Sequence, residues 1–398
     1  MSRLSFQKQN LAERVADQLS QAIGQQGWGA GHRLPPVRNL AKQFKVSPNT
    51  AHSAIRLLAK RGIIDLKPRG SFIQRESSAI KRKQIGIIST GGTTPYIPPL
   101  TADYFTRDWC GMILGGMQET MAKAGKLMTI IPSHLFDEDP LAALLERIDG
   151  VLDSLAGIIC FSLNWPLKLQ ADLRMALEQR GTPYVTINRF SDLNHHNFVS
   201  VDFIGGTRLV GRCLARMGLT KVLLLVTEHL ERSHSGIEQV GGLFQGFALE
   251  KICTHDINVR YCANHQKTTG HELMLQYLDK QPAPQAVVAM GDLIALGAIQ
   301  ALGERGLRVP EDVGVIGGTG MPQLRDAKPS LTTLSQPMSE IGRQAIQMLL
   351  EMERADITRL TGRTVPGKLA IRQSLAIPKS IQMELAEELE TWTFETES

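Results

Sequence analysis

Apolar residues fall at helical spacing through the first sixty positions. Leu11, Val15, Leu19 and Ile23 recur every four residues, so residues 10–26 are expected to form a helix with one apolar stripe. Gly27-Trp28-Gly29-Ala30-Gly31 interrupts it. Leu40, Ala41 and Phe44 mark a second, shorter helix that turns at Lys45-Val46. Ser47 then suits an N-cap, and Pro48 suits the first helical position, where a missing N–H costs nothing. Ala51, Ala54, Ile55 and Leu58 follow at three- and four-residue spacing, while the opposite face carries Asn49, Thr50, His52, Ser53, Arg56 and Lys60. Downstream, Gly62–Leu66 and Ser71–Ile73 flank the turn Lys67-Pro68-Arg69-Gly70, which reads as a β-hairpin with a basic tip.

From Gln84 the pattern changes to short buried runs alternating with helical stretches. Strands are expected at Ile85–Ile88, Leu127–Ile131, Ala156–Phe161 and Tyr184–Ile187, with helices at 107–123, 141–148 and 167–179 between them. A second series is expected to start near Val199, with strands at Val222–Val226, Val287–Ala289 and Val313–Ile316. Such alternation implies parallel sheets covered by helices on both faces, and two series imply two lobes. A ligand would then bind where the C-terminal ends of the strands meet. Residues 379–398 are acidic, with Ile381, Leu385 and Leu389 on one side of a short helix, expected to serve as a packing or dimer-edge element.

Charge sharpens this division. Residues 1–83 hold 16 Lys and Arg against 4 Asp and Glu, a balance of +12, and the remainder holds 28 against 35, a balance of −7. A basic head on an acidic body implies that the head alone meets a polyanion. No apolar run approaches the ~18 residues needed to span a membrane, and residues 1–10 lack a signal-peptide core, so a cytoplasmic protein is expected. The five cysteines (Cys110, Cys160, Cys213, Cys253 and Cys262) are odd in number and scattered, without a C-x-x-C pair. They read as reduced small hydrophobes rather than a disulfide framework or a zinc site.

Two helices joined by a tight turn and followed by a basic hairpin predict a winged helix-turn-helix over residues 1–76. Short hydrogen-bonding groups at the start of its second helix can read base edges, and cations further along can meet phosphate. An ordinary amphipathic surface helix is the plainer reading of the same pattern. The flanking residues favour DNA. Leu34, Pro35, Arg38, Leu40, Ala41, Val46, Ser47, Thr50, Leu58, Gly62, Gly70, Phe72 and Ile73 together resemble the GntR family of bacterial transcription regulators. Two positions depart from its pattern: Pro48 stands where the family has an arginine, and Pro68 replaces the first wing glycine. The DNA-binding residues expected are Arg38, Ser47, Asn49, Thr50, His52, Arg56, Arg69 and Gly70, with Asn49 and His52 nearest the bases. Residues 77–83 form a basic linker, whose Lys81-Arg82-Lys83 can add phosphate contacts.

Further along, Asp292-Leu293-Ile294-Ala295-Leu296-Gly297, Gly306–Val313, Val315-Ile316-Gly317, Leu331-Thr332-Thr333, Gln336-Pro337 and Leu369–Ser374 resemble the effector domain of LacI/GalR-type repressors. That domain is itself similar to periplasmic sugar-binding proteins. The expected fold is therefore α/β, an N-terminal winged helix-turn-helix plus a two-lobed periplasmic-binding-protein-like domain with parallel sheets. Residues 84–378 would bind effector and dimerise, one lobe formed by about 84–198 with 336–364 and the other by about 199–335 with 365–378. By the resemblance, Phe161, Asn188, Asp292 and Gln336 line the effector cleft. Asp292 could equally be a helix N-cap, and Asn188 a turn residue. Trp109, Trp165 and Tyr96 could stack on a sugar, though single aromatics more often pack in a core. Leu243 stands where the family carries an arginine, and Gly317-Gly318-Thr319-Gly320 where it has G-x-D-D.

The expectation is a ligand-responsive transcription regulator, a repressor by analogy, which binds double-stranded operator DNA and a sugar-like effector as a homodimer. The helix at 107–123, apolar at Met112, Ile113, Gly116 and Met117, is the candidate for part of the dimer face. No cofactor, metal or membrane association is expected. The alternative is a cytoplasmic cofactor-dependent α/β enzyme fused to a DNA-binding head. Its sequence support is slight: the Gly317–Gly320 run follows a strand as a phosphate loop does, but Met321-Pro322 stands where the helix should start. His195, His196, His229 and His234 sit in polar stretches without metal-ligand spacing.

Overall fold

The computed structural model describes residues 11–25, 32–60, 63–67, 70–73, 83–89, 104–133, 139–161, 167–188, 197–226, 234–253, 255–322, 325–355, 357–388 and 391–396. Met1–Lys83 and Gln84–Ser398 are separate units.

In the first unit, α1 (Leu11–Gln25), α2 (Val37–Gln43) and α3 (Pro48–Lys60) precede a hairpin of β1 (Ile64–Lys67) and β2 (Gly70–Ile73). Val15, Leu19 and Ile23 of α1 are buried with Leu40, Ala54, Ile55, Leu58 and Ile64. Leu11 is 52% exposed. Four residues make slightly more than one turn, so a strict four-residue stripe drifts by about 40° per step and its first member leaves the core. The α2–α3 turn is a Schellman arrangement. The Val46 N–H reaches the Ala41 carbonyl at 2.9 Å and the Lys45 N–H reaches Lys42 at 3.3 Å, with Lys45 left-handed at φ 54°. Ser47 caps α3, its Oγ accepting from the Thr50 N–H at 3.1 Å. The hairpin pairs antiparallel, Ile64 with Ile73 and Lys67 with Gly70.

The second unit alternates strands and helices. In its first half come β3 (Gln84–Ser89), α4 (Tyr104–Lys123), β4 (Leu127–Pro132), α5 (Pro140–Asp149), β5 (Leu155–Phe161), α6 (Leu167–Gln179), β6 (Tyr184–Ile187) and β7 (Phe198–Val201). There follow α7 (Phe203–Arg216), β8 (Val222–Val226), α8 (His234–Leu249), β9 (Ile257–Tyr261), α9 (Lys267–Leu278), β10 (Ala286–Ala289), α10 (Asp292–Glu304), β11 (Gly314–Gly317) and β12 (Thr332–Ser335). The chain closes with α11 (Met338–Ala355), β13 (Arg363–Val365), β14 (Lys368–Ile371), α12 (Lys379–Glu388) and β15 (Thr393–Thr396).

Two sheets result, ordered β13-β7-β6-β5-β3-β4 and β15-β14-β12-β11-β10-β8-β9. The first is parallel throughout. In the second, β14 runs antiparallel to β12. The cause is the connection: the chain leaves the C-terminal end of β13 in the first lobe and so enters the second from the side where the other strands finish. Phe198–Val201, placed by the sequence at the head of the second series, pairs with β6 and β13 in the first sheet. Crossings between the lobes therefore lie at residues 201–203, 335–338 and 365–368.

The apolar side of α4 expected to form part of a dimer face is spent inside the chain. Ile113 and Met117 are fully buried in the same core as Ile341 and Ala345 of α11. Gly116 and Gly342 let the two helices touch, since a methyl on either would run into the carbonyl of Ser339 or Ile113. An apolar stripe on one helix cannot distinguish a neighbouring helix of the same chain from a second copy. The C-terminal strand β15 belongs to the second lobe, pairing in parallel with β14, and Leu389 lies outside the described residues.

Candidate DNA-binding face and effector cleft

On α3 the inward residues Ala51, Ala54, Ile55 and Leu58 are at most 2% exposed. Asn49, His52, Ser53 and Arg56 are exposed along the opposite side, and Arg38 is exposed on α2. Their i, i+3, i+4, i+7 spacing makes one continuous polar face. Ser47 and Thr50 are less available: their hydroxyl oxygens lie 2.8 Å apart within the cap. Gly70 has φ 140° at the hairpin tip, while Gly62, Pro68 and Arg69 lie outside the described residues. Arg33 was not singled out by the sequence. It bridges antiparallel to Phe72, extending the hairpin, and its guanidinium lies over Gly70. An isolated bridge has no periodic signal, and only the preceding loop's path reveals it.

In the second unit the four expected cleft residues stand at or just beyond C-terminal strand ends. Phe161 closes β5 and is buried against Trp109, ring centroids 5.6 Å apart. Asn188 follows β6 in the left-handed region at φ 68°, its N–H donating to Val199 O at 2.9 Å and its carbonyl accepting from Thr186 Oγ1 at 2.8 Å. Among the described residues, none donates to its buried Oδ1.

Asp292 is 1% exposed and accepts three hydrogen bonds. Oδ1 takes the Thr319 N–H at 3.1 Å and the Thr333 hydroxyl at 2.6 Å, and Oδ2 takes the Met321 N–H at 2.7 Å. The helix-cap alternative does not hold: Gly291 occupies the cap position of α10, and the carboxylate turns instead to the loop after β11. Gln336 holds the same loop, donating through Nε2 to the Gly318 carbonyl and through its N–H to Thr319 O at 3.3 Å. The Gly320 N–H is taken by Thr333 Oγ1 at 3.2 Å. A phosphate loop needs these N–H groups free for an anion; here the protein's own acceptors use them.

Leu243 is fully buried in the core. One turn earlier on α8, Gln239 is 4% exposed, and its Oε1 has no donor among the described residues. A glutamine among apolar neighbours gave no sequence signal. Among the described residues no group of three His, Cys, Asp or Glu could hold a metal. His195, His196, His229, Tyr96 and Trp165 lie outside them. Burial pushes the thiols of Cys160, Cys213 and Cys262 up to about 12, as expected of small hydrophobes. Cys253 departs from that reading: it is exposed, with Sγ 2.8 Å from His255 Nδ1. A depression of about 640 Å3 is walled by Arg216, Glu250, Ile381, Glu384, Glu387 and Glu388, none of them an expected cleft residue.

Residues 11–73 match the bacterial regulatory proteins of the gntR family, and residues 212–375 match a periplasmic binding protein-like domain. The HTH-type transcriptional repressor PurR of Klebsiella pneumoniae subsp. pneumoniae is 26% identical over 338 residues, spanning 80% of this chain and 90% of that protein. Among solved structures, a transcriptional regulator CelR–cellobiose complex aligns with a TM-score of 0.60 at 21% identity, covering 83% of this chain and 92% of that one. The lac repressor dimer bound to operator and the anti-inducer ONPF aligns at 0.61 and 19% identity, covering 74% and 94%. These two likenesses show the fold. No helix among the described residues is long and apolar enough to cross a membrane.

Proposed function

Because this chain is a bacterial transcription regulator, with a gntR-family head and a periplasmic binding protein-like body homologous to that of PurR/LacI-type repressors, we propose that it represses transcription as a cytoplasmic homodimer whose operator affinity is set by a sugar-like effector. The reading rests most heavily on α3: a buried apolar face and an exposed row of Asn49, His52, Ser53 and Arg56. A two-fold dimer would place two such helices in major grooves about one helical turn, ~10 bp, apart or a multiple of it. Arg38, Arg56 and Arg69 would hold phosphate, Asn49 and His52 would meet base edges, and Ser47, Thr50 and Gly70 would set the ends of the helix and wing.

In the body, the effector would lie at the strand ends. Phe161 would supply an apolar wall, Asn188 Oδ1 an acceptor for a ligand hydroxyl, and Asp292 with Gln336 a fixed loop on the facing lobe. The neighbour solved with cellobiose supports a small-molecule effector, the PurR repressor supports repression, and the operator-bound lac repressor dimer supports the assembly. The chain's relatives are transcription regulators, in keeping with a protein that binds without turnover.

The test selects a preferred DNA site from a random pool, then measures its affinity with and without members of a neutral sugar and sugar-phosphate panel chosen by thermal shift. A two-fold symmetric site and at least one panel compound that changes its affinity are expected. Selection of no site, or a monomer on the selected DNA, would overturn the reading.

A further inference from the structure

The C-terminal segment ends on the connections between the two lobes. Helix α12 is held to α7 by ion pairs. Arg216 meets Glu384 and Glu388, each at 3.0 Å, and Glu250 at 2.9 Å; Arg212 meets Glu250 at 2.6 Å and also Glu388. Beyond it, β15 pairs with β14 from Lys368↔Thr393 to Ile371↔Thr396. Trp392 lies between these two anchors and is only 2% exposed.

Its surroundings are two of the crossings between the lobes. The indole N–H donates to the Asp202 carbonyl at 3.1 Å, and the neighbouring Thr391 hydroxyl reaches Asp202 Oδ2 at 3.3 Å. The ring covers Gly205 and Gly206, where an added methyl would stand 2.7–3.0 Å from indole carbons, and Gly367, where it would stand 2.9 Å away. Asp202 belongs to the first crossing, and Gly367 to the third. The two crossings are also joined to each other, the Asp202 N–H donating to the Val365 carbonyl at 3.0 Å. Asp202 further starts α7, its Oδ1 accepting from the Gly205 N–H at 3.0 Å.

An edge strand that merely shields β14 from stray pairing would account for β15. It gives no reason for a buried indole on two interlobe connections. Domain closure is absorbed by a few residues whose φ and ψ change. A rigid bicyclic ring packed on those residues, and hydrogen-bonded to their backbone, biases which dihedrals they hold. We infer that Trp392 is a positioning residue of the hinge: seated on Asp202, Gly205, Gly206 and Gly367, it sets the balance between open and closed lobes. The consequence for DNA binding rests on the regulator reading above; the geometry does not, so the test uses neither DNA nor effector.

Spin labels would be placed on the full-length protein at Lys168→Cys, an exposed residue of α6 in the first lobe, and Lys267→Cys, exposed on α9 in the second. Cys110→Ser and Cys253→Ser provide the background. Double electron–electron resonance then reads the interlobe distance with Trp392 intact, in Trp392→Phe, in Trp392→Ala and in Phe394→Ala, which loosens β15 while the indole itself is kept. The expected result is a second distance population in Trp392→Ala, a smaller one in Trp392→Phe, and an unchanged distribution in Phe394→Ala. An unchanged distribution in Trp392→Ala, or equal changes in Trp392→Ala and Phe394→Ala, would overturn the inference. Should the alanine variant not fold, Trp392→Phe decides: a new population supports the hinge role, and an unchanged distribution removes it. Failure of any effector to bind would leave this measurement standing and would count against the regulator reading alone.

Discussion

On α3 the amide of Asn49, the imidazole of His52 and the guanidinium of Arg56 stand in solvent along one face. In the body, the carboxylate of Asp292, the amide of Gln336 and the hydroxyl of Thr333 turn on one another and on the loop at residues 318–321. Both groups belong to the surfaces proposed above to meet a ligand. The head leaves hydrogen-bonding capacity open for a partner that brings its own donors and acceptors. The body uses its capacity to fix a wall, and among the described residues none donates to the buried Oδ1 of Asn188. A polar side chain at a site can therefore act by touching the ligand or by holding the surface the ligand touches.

That contrast can be broken at Asp292. Asp292→Ala strips the acceptor from three buried or half-buried donors, and each unmet donor costs about 1–3 kcal/mol, so a loss of roughly 3 kcal/mol or more is expected in urea unfolding. Asn49→Ala should leave stability within about 0.5 kcal/mol, as exposed substitutions do. Equal unfolding midpoints for the two variants would erase the distinction. Gly116→Ala tests the packing of α4 on α11: pushing the two helices apart should cost about 1–3 kcal/mol by the same measurement. If that helix face were instead a dimer seam, the loss would depend on protein concentration.

On the head, Asn49→Ala should weaken the selected DNA site by about 1–3 kcal/mol and relax base choice at one position. Arg56→Ala should weaken all DNA alike, with a shallower dependence on salt. Competition binding against single-base variants of the site separates the two. Ser47→Ala removes a cap and should cost about 1 kcal/mol of head stability, with its DNA affinity following that loss rather than base identity.

The smallest effect concerns the C-terminal anchor. Burial alone would raise the Glu250 carboxyl, but hydrogen bonds and charge from Arg216 and Arg212 outweigh it and hold it below its ordinary 4.5. Hydrogen bonds from the same two arginines lower Glu388. A carboxyl lowered in the folded state contributes stability that is fully present above the unfolded value and is lost as pH falls through the folded one. Glu250→Gln should therefore cost about 1 kcal/mol at pH 7, and the difference from wild type should vanish on acidification below the ordinary carboxylate range. A difference that persists there would mean that packing rather than charge holds the tail.

Much of this was legible along the chain because it depends on neighbours in sequence. Helix spacing, the Ser47 cap, the Pro48 start and the buried strand runs are local; helices followed by a hairpin implied the class of the head, and alternating strands and helices that of the body. Local reasoning misplaced what depends on distant partners. Phe198–Val201 reads as the start of a second series, yet its pairing partners are Thr186, Ile187 and residues 363–365. Met112–Met117 reads as an interface, yet α11, more than two hundred residues later, covers it. Arg33, Gln239 and Trp392 carried no periodic signal at all.

What the sequence by itself determined is the kind of molecule: a basic head with a polar helix face, and an acidic α/β body of two lobes, since charge and periodicity are sums over neighbouring residues. Only the tertiary structure decided the assignment of individual polar groups. Asp292 became a clamp when β11 and β12 brought Thr319, Met321 and Thr333 within 3.1 Å of its carboxylate. Trp392 became a hinge residue when β15 paired with β14 and carried the indole onto Asp202, 190 residues away. Hydrogen bonds and close contacts reach only a few ångström, so the partners that settle a side chain's role are those the fold brings near, whatever their distance along the chain.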